Sequence, residues 1–181
     1  MYRYNDLVLR KFRFEDIPLK IEWINNAENN AHLGYELPLE YEKTCRWYES
    51  IKDRQDRFDA VVEYMGQPIG LFGLLNIDYK NKKAEDYSLI GDTSFKGKGI
   101  GTRAGYLNIL YAFHNLGLHK VYGIIEVGNT ASIMRCRRSG WHVEGYLHDD
   151  RWRDGRPVDS YYVAVYKNEF KIPEGVYWED E

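Results

Sequence analysis

Lys96-Gly97-Lys98-Gly99-Ile100-Gly101-Thr102 separates an apolar stretch, Tyr87 to Gly91, from a longer one, Thr102 to Leu116. The first reads as a strand and the second as a helix, so the glycines mark a strand-to-helix turn. Glycine lets the backbone approach a ligand closely, and the N–H groups opening a helix are unpaired donors at the positive end of its dipole. The turn therefore predicts a site for an anionic cofactor. A dinucleotide fold places Gly-x-Gly-x-x-Gly after its first strand with an acid about twenty residues further on. Here Gly97, Gly99 and Gly101 alternate in mid-chain. A P-loop requires Lys-Ser/Thr after its last glycine, and Gly101 is followed by Thr102-Arg103. Both of those nucleotide sites are excluded. The bland alternative is a flexible loop with chance glycines.

With 181 residues the chain is one domain's worth, enough to bury about 70% of its unfolded surface without staples. A formal net charge of −3 argues against nucleic acid as the main partner, which needs a concentrated basic face. Arg135, Arg137 and Arg138 form the one dense basic cluster, better suited to a single anionic cofactor. Cys45 and Cys136 lie far apart and form no redox or metal motif, and the five histidines lack ligand spacing, so no catalytic metal is expected. No apolar run is long enough for a membrane span, and Met1 to Asp6 lacks the apolar centre of a signal peptide. A soluble protein of the reduced cytoplasm, with no membrane partner, is expected.

Along the chain, Leu7 to Phe12 alternates as a strand, and Asp16 with Pro18 opens a helix that Asn25 and Asn26 end. Residues 28–38 read as an irregular polar loop, followed by a helix from about Tyr41 to Asp53. Phe58 to Tyr64 and Pro68 to Asp78 read as strands around the turn Met65-Gly66-Gln67, with a charged turn, Lys80 to Lys83, before the strand that carries Tyr87. Beyond the glycine loop come the helix, a strand from Val121 to Val127, and a short helix from Thr130 to Ser139. Two strands then meet at Asp154-Gly155. The pattern predicts an α/β (α+β) domain over 1–181, a central mixed but mostly antiparallel sheet of six or seven strands flanked by about four helices. Residues 169–181 are expected to form an acidic C-terminal tail, frayed at Trp178 to Glu181.

The order of these blocks resembles the GNAT superfamily of acyl-CoA-dependent N-acetyltransferases. Lys96-x-x-Gly99-x-Gly101 is similar to that family's Arg/Gln-x-x-Gly-x-Gly/Ala pyrophosphate loop, with Lys96 in place of Arg or Gln. Ala84-Glu85 before it resembles a second block. Asn129-x-x-Ser132 with Arg138-x-Gly140-Trp141 after it resembles a third. Glu144-Gly145, Asp159, Leu7 to Arg10, Asp16 and Trp23 extend the similarity over nearly the whole chain. It is closest to the branch of ribosomal-protein, polyamine and amino-sugar acetyltransferases. The resemblance implies the GNAT fold, acetyl-CoA as cofactor and CoA as product. It implies pyrophosphate contacts from Lys96, Gly97, Lys98, Gly99, Ile100, Gly101 and Thr102, and pantetheine contacts from Leu89, Ile90, Gly91 and Asn129, with Ser132 and Arg138 within reach of the cofactor. Cytosolic members often pair, so a homodimer is expected.

Acetyl transfer to an amine needs an unprotonated nucleophile, a place for the developing oxyanion and a proton for the departing thiolate. An alkylamine has a pKa near 10, so at neutral pH only about one molecule in a thousand is nucleophilic. Glu85 is the candidate base. In a strand it shares a face with Tyr87 and Leu89, where desolvation beside a ring favours proton uptake, while Asp86 faces the other way as a structural or solvated group. The competing reading of Glu85 is a surface residue at a strand start. A backbone N–H at Leu89 to Gly91 is the oxyanion candidate. Relatives carry a tyrosine acid seven residues after the asparagine; here Cys136 stands there, leaving the thiol, Tyr87, water or the amine itself as donor. The plainer reading of Cys136, and the favoured one, is a small buried hydrophobe. Covalent cysteine catalysis is not supported, since no histidine is paired with it by spacing.

For the acceptor, His32, Tyr35, Glu36, Tyr87 and Trp152 offer aromatic surface and acidic charge to a cation, against the plainer reading of a charged, partly packed surface. A nucleotide-linked amino sugar would instead use Arg151, Arg153 and Arg156. The expected activity is acetylation of a primary amine on a small molecule, a polyamine or amino sugar, by direct attack. One alternative is acetylation of a protein N-terminus such as that of a ribosomal protein. An alternative of another class is a non-catalytic acyl-CoA sensor, for which loss of the tyrosine acid speaks.

Overall fold

The computed structural model describes residues 1–179. Its centre is a nine-stranded sheet in the order β7-β8-β6-β5-β4-β3-β2-β1-β9. The strands are β1 Tyr2–Tyr4, β2 Leu7–Lys11, β3 Phe58–Tyr64, β4 Gln67–Asp78, β5 Lys83–Ile90, β6 Lys120–Glu126, β7 His142–Arg153, β8 Arg156–Tyr166 and β9 Val176–Trp178. Every neighbouring pair is antiparallel except β5 with β6. Five α-helices accompany the sheet: α1 Ile17–Asn25, α2 Ala27–Asn30, α3 Tyr41–Ile51, α4 Ile100–Leu110 and α5 Thr130–Arg138. The mixed, mostly antiparallel α/β architecture is the one the sequence predicts.

The counts are larger than predicted, for local reasons. The two added strands, β1 and β9, are three residues each, too short for alternation to register. They pair with each other at one end of the sheet, where Tyr2 meets Trp178 edge to face at 4.7 Å. The predicted tail is thus corrected: residues 176–178 form a strand, and the Glu179 N–H donates to the Met1 carbonyl. Asp180 and Glu181 lie outside the described residues. The added helix, α2, is a single turn whose N–H at Glu28 is capped by Asn26.

Apolar side chains fill both faces. On one, Ile109 of α4 and Cys136 of α5 pack with Leu74, Val121 and Val163, and Leu107 and Leu110 of α4 pack with Leu9, Val62 and Phe72. On the other, Ile17, Trp23 and Ile24 of α1 cover Val61 and Leu71, with Tyr87 and Leu89 packed against them. Asp16 does begin α1, though not by capping it with its own side chain; its carboxylate takes both terminal nitrogens of Arg10 at 2.8 Å and the Arg13 N–H at 2.7 Å. The helix predicted over 102–116 begins at Ile100, and its last turn, Tyr111–Asn115, widens to a π-helix.

Candidate active site

The parallel pair that joins the two halves of the sheet is short. β5 and β6 are in register only at Lys83 with Lys120, Ala84 with Val121 and Glu85 with Tyr122. Past Glu85 the strands separate, while β5 stays paired to β4 as far as Ile90. The β5 edge that faces β6 therefore has main-chain groups with no strand partner, which backbone chemistry requires to be bonded elsewhere. A cavity of about 840 Å³ opens along this split, lined by both strands, the glycine loop and α5.

At one end of the cavity lies the start of α4. Gly99 is its N-cap with φ 74°, a left-handed conformation that favours glycine, and it offers no side chain to the first-turn N–H groups. Gly97 has φ 75°, and a Cβ at either glycine would meet no atom within 4 Å, so the space in front of the helix is open. An uncapped helix N-terminus opening into a cavity suits phosphate. Of the predicted loop contacts, Lys96, Gly97, Gly99, Gly101 and Thr102 line the cavity. The side chains of two do not. The Lys98 ammonium lies 5.5 Å from the Phe95 ring centroid, and Ile100, the first residue of α4, is buried in the core. The Lys96 ammonium donates to the Glu28 carbonyl at 2.8 Å, tying the loop to α2.

On β5, Leu89 and Ile90 line the cavity but Gly91 does not. The Gly91 N–H is taken by the Ile69 carbonyl at 2.9 Å, and a Cβ there would strike Trp23 at 2.2 Å. Gly91 is thus corrected from an oxyanion donor to a packing position. Glu85 lines the cavity, half-buried, and accepts a hydrogen bond from Asn76 Nδ2 at 2.9 Å. Asp86, on the opposite face, is bonded to Arg135 Nη2 at 2.8 Å and Asn108 Nδ2 at 2.7 Å. Arg135 therefore belongs to a buried ion pair rather than to an open basic cluster.

The two candidate proton donors both line the cavity, in surroundings that hold their protons tightly. The Tyr87 hydroxyl donates to Asp59 Oδ1 at 2.7 Å, and burial together with that carboxylate holds the phenol well above its ordinary value. Its proton is already engaged. Cys136 is 3% exposed, within the α4 and α5 core. Burial outweighs the nearby Arg135 and pushes the thiol up to about 11. Proton transfer from such a thiol to an ordinary thiolate runs uphill by about 3 kcal/mol.

Asn129 caps α5, its Oδ1 accepting from the Ser132 N–H at 3.1 Å. Its amide N–H₂ group has no partner among the described residues and lies on the cavity lining with Ser132 and Arg138. The acceptor candidates divide. His32, Tyr35 and Tyr87 line the cavity, whereas Glu36 and Trp152 do not. Strand alternation explains Trp152: Arg151 lines the cavity and Arg153 reaches inward, so the residue between them faces solvent, at 73% exposure. Tyr35 is anchored by Lys20, whose ammonium meets its hydroxyl at 3.3 Å and sits 4.3 Å from the Trp47 ring centroid.

Several partners escaped the sequence reading. Asn29 Nδ2 donates to the carbonyls of Trp23 and Gly91, fixing α2 to the end of β5. Glu126, 4% exposed at the end of β6, is 2.9 Å from His32 Nδ1 and accepts from Arg153 Nε at 2.6 Å. Arg153 is thus engaged and not a free phosphate donor. Asp59 takes Arg57 as well as Tyr87. An acid closing the apolar run Val121 to Val127 was the available signal for Glu126.

Comparison with known proteins agrees with this geometry. A spermidine N(1)-acetyltransferase of Escherichia coli K12 is 29% identical over 167 residues, covering 90% of this chain and 87% of the relative. The uncharacterized N-acetyltransferase p20 of Bacillus licheniformis is 27% identical over 169 residues, covering 91% of this chain and 94% of the relative. The solved structure of spermidine N-acetyltransferase from Vibrio cholerae in complex with CoA and spermine superposes with a TM-score of 0.84 at 24% identity, over 91% of this chain and 98% of that one. No helix among the described residues is long and apolar enough to cross a membrane. The acetyltransferase (GNAT) domain family matches residues 6–142, and the chain belongs to that family of acyltransferases.

Proposed function

We propose that this acetyltransferase moves the acetyl group of acetyl-CoA to a primary amine of a polyamine, by direct attack with Glu85 as general base. The observation that carries the reading is the uncapped start of α4 opening into the split between β5 and β6, with Glu85 at the closed end of that split. Polyamine as acceptor is supported by the 29% identity to the Escherichia coli spermidine enzyme over most of both chains.

When bound, acetyl-CoA supplies an acyl group on a good leaving sulfur. The residues that would hold it are Gly97, Gly99, Gly101 and Thr102 at the phosphates, with Lys96 beside them, and Asn129 and the β5 edge along the pantetheine arm. Ser132 and Arg138 lie close enough on α5 to contribute. The main-chain donor at Ile90, which alternation along β5 turns away from β4, would receive negative charge developing on the acyl oxygen. Glu85 would take a proton from the ammonium, directly or through water. An extended cation would pass the aromatic wall of Tyr35, Trp47 and Tyr87, drawn by Glu28 and Glu85.

Thiol release from acetyl-CoA against a panel of polyamines, amino sugars, aminoglycosides and peptides tests the acceptor class, with turnover on polyamines expected. In the same assay Glu85→Gln should lower kcat/KM for the amine by roughly 10²–10³-fold with CoA affinity kept. Turnover only on another class would replace the polyamine. Unchanged kinetics in Glu85→Gln would remove the base.

A further inference from the structure

We propose that His32 is a second catalytic proton acceptor, its Nε2 aimed by a hydrogen bond from Nδ1 to the buried Glu126, and that it acts with Glu85 on the acceptor amine. The proposal rests on the acetyltransferase reading above. Both oxygens of Glu126 are engaged, Oε2 by His32 Nδ1 at 2.9 Å and Oε1 by Arg153 Nε at 2.6 Å. A carboxylate bonded to a guanidinium is an acceptor only, so the proton of the neutral imidazole lies on Nδ1 and the lone pair on Nε2. Nε2 has no partner among the described residues, and the ring, 38% exposed, lines the cavity. This is the arrangement of a base oriented by a third group.

The position suits the role. Glu85 and Tyr122 are the last residues in register between β5 and β6, and Leu89 and Glu126 each lie four residues beyond them. His32 therefore sits across the split from the β5 donors. Strand alternation puts Glu126 with Tyr122 on one face of β6, opposite Val121 and Ile125, which pack toward α5. Glu85 shares its face of β5 with Tyr87 and Leu89, which pack toward α1. Holding the loop to β6 does not require a free Nε2. Arg153 already ties the loop to Glu126, because its Nη1 donates to the Leu33 carbonyl at 3.1 Å.

The proton count gives two acceptors work to do. An alkylammonium loses one proton to become a nucleophile, and Glu85 takes it. Its nitrogen then bonds the acyl carbon and carries two hydrogens and a positive charge. A second proton passes to His32 Nε2 as the carbon–sulfur bond breaks with its electron pair on sulfur. Both carriers then return their protons to water or to the thiolate.

Two measurements test this. In ¹⁵N-histidine-labelled protein, long-range ¹H–¹⁵N correlation should show His32 as the Nδ1–H tautomer, and the Nε2–H tautomer would overturn the proposal. This readout needs no turnover, so it stands even where the acetyltransferase reading fails. In the thiol-release assay His32→Ala should lose about 10²-fold in kcat with KM for acetyl-CoA unchanged, and free imidazole should restore part of it. Glu126→Gln should lower kcat in the same direction. Full activity in His32→Ala, or a loss that imidazole does not relieve, would reject the role.

Discussion

The two lips of the split sheet are made of different materials. On the β5 side the ligand groups are main-chain: an edge without a strand partner beyond Glu85, and a helix start at Gly99 with no side chain over it. On the β6 side they are side chains held by other side chains, with Glu126 clasped between His32 and Arg153. Backbone donors suit a long anionic ligand whose contacts repeat along a chain. A clasped carboxylate suits a single proton at a fixed point. The difference teaches that the cofactor side is set by local backbone geometry and the acceptor side by tertiary contacts.

The sharpest way to break this contrast lies beneath the β5 lip, where a buried pair supports it. Asp86 and Arg135 have side chains 2% and 14% exposed. Arg135 Nε and Nη1 are buried without partners among the described residues. Removing one charge leaves the other uncompensated, so Arg135→Leu should destabilise the fold by about 3–5 kcal/mol in chemical denaturation. The double variant Asp86→Leu/Arg135→Leu should recover most of that loss. If the single and double variants were equally destabilised, the pair would not be the support.

What could be read from the chain follows the same division. The glycine loop is contiguous, and its meaning rests on backbone freedom that glycine spells out residue by residue; Gly97 and Gly99 indeed take positive φ. The facing of Glu85 and Asp86 was legible because a strand has a period of two. His32, Glu126 and Arg153 come from three elements, and no local pattern ties them, so the clasp was invisible although His32 itself was singled out. Arg135 was grouped with Arg137 and Arg138 by sequence density, yet helical geometry turns it inward to Asp86. The catalytic reading of Cys136 came from its place seven residues after Asn129, whereas its environment is decided by the packing of α4 against α5. Short pieces at the ends, β1 and β9, carry too few residues to show alternation.

A second test concerns the floor between the lips. The Cys136 thiol is pushed up to about 11 from an ordinary 9.0 by burial. The folded protein thus keeps a proton that the unfolded chain releases. The linked stability is fully present below about pH 9 and is lost as pH rises through about 11. Wild type should lose roughly 2 kcal/mol relative to Cys136→Ala between pH 8 and pH 11 in denaturant titrations. Native protein at pH 8 should also resist alkylation at this thiol. Rapid alkylation would return Cys136 to the list of reactive groups and blur the contrast between the lips.

The smallest effect sharpens the main-chain side. Gly99 has open space where a Cβ would stand, so a substitution there is opposed by its φ of 74° rather than by a clash. A left-handed conformation costs a non-glycine residue about 1–2 kcal/mol, and a β-branched one sits at the upper end. Gly99→Val should therefore pull the helix start out of shape and weaken CoA binding by about tenfold in calorimetry, with overall stability lowered by no more than about 2 kcal/mol. Gly99→Asn, which tolerates this conformation better, should fall between it and wild type. That ranking separates the two ways a glycine can matter. If Asn and Val were equally damaging, the added side chain itself, meeting the phosphates, would be the obstacle. If neither weakened binding, the open helix start would not be where the anion is held.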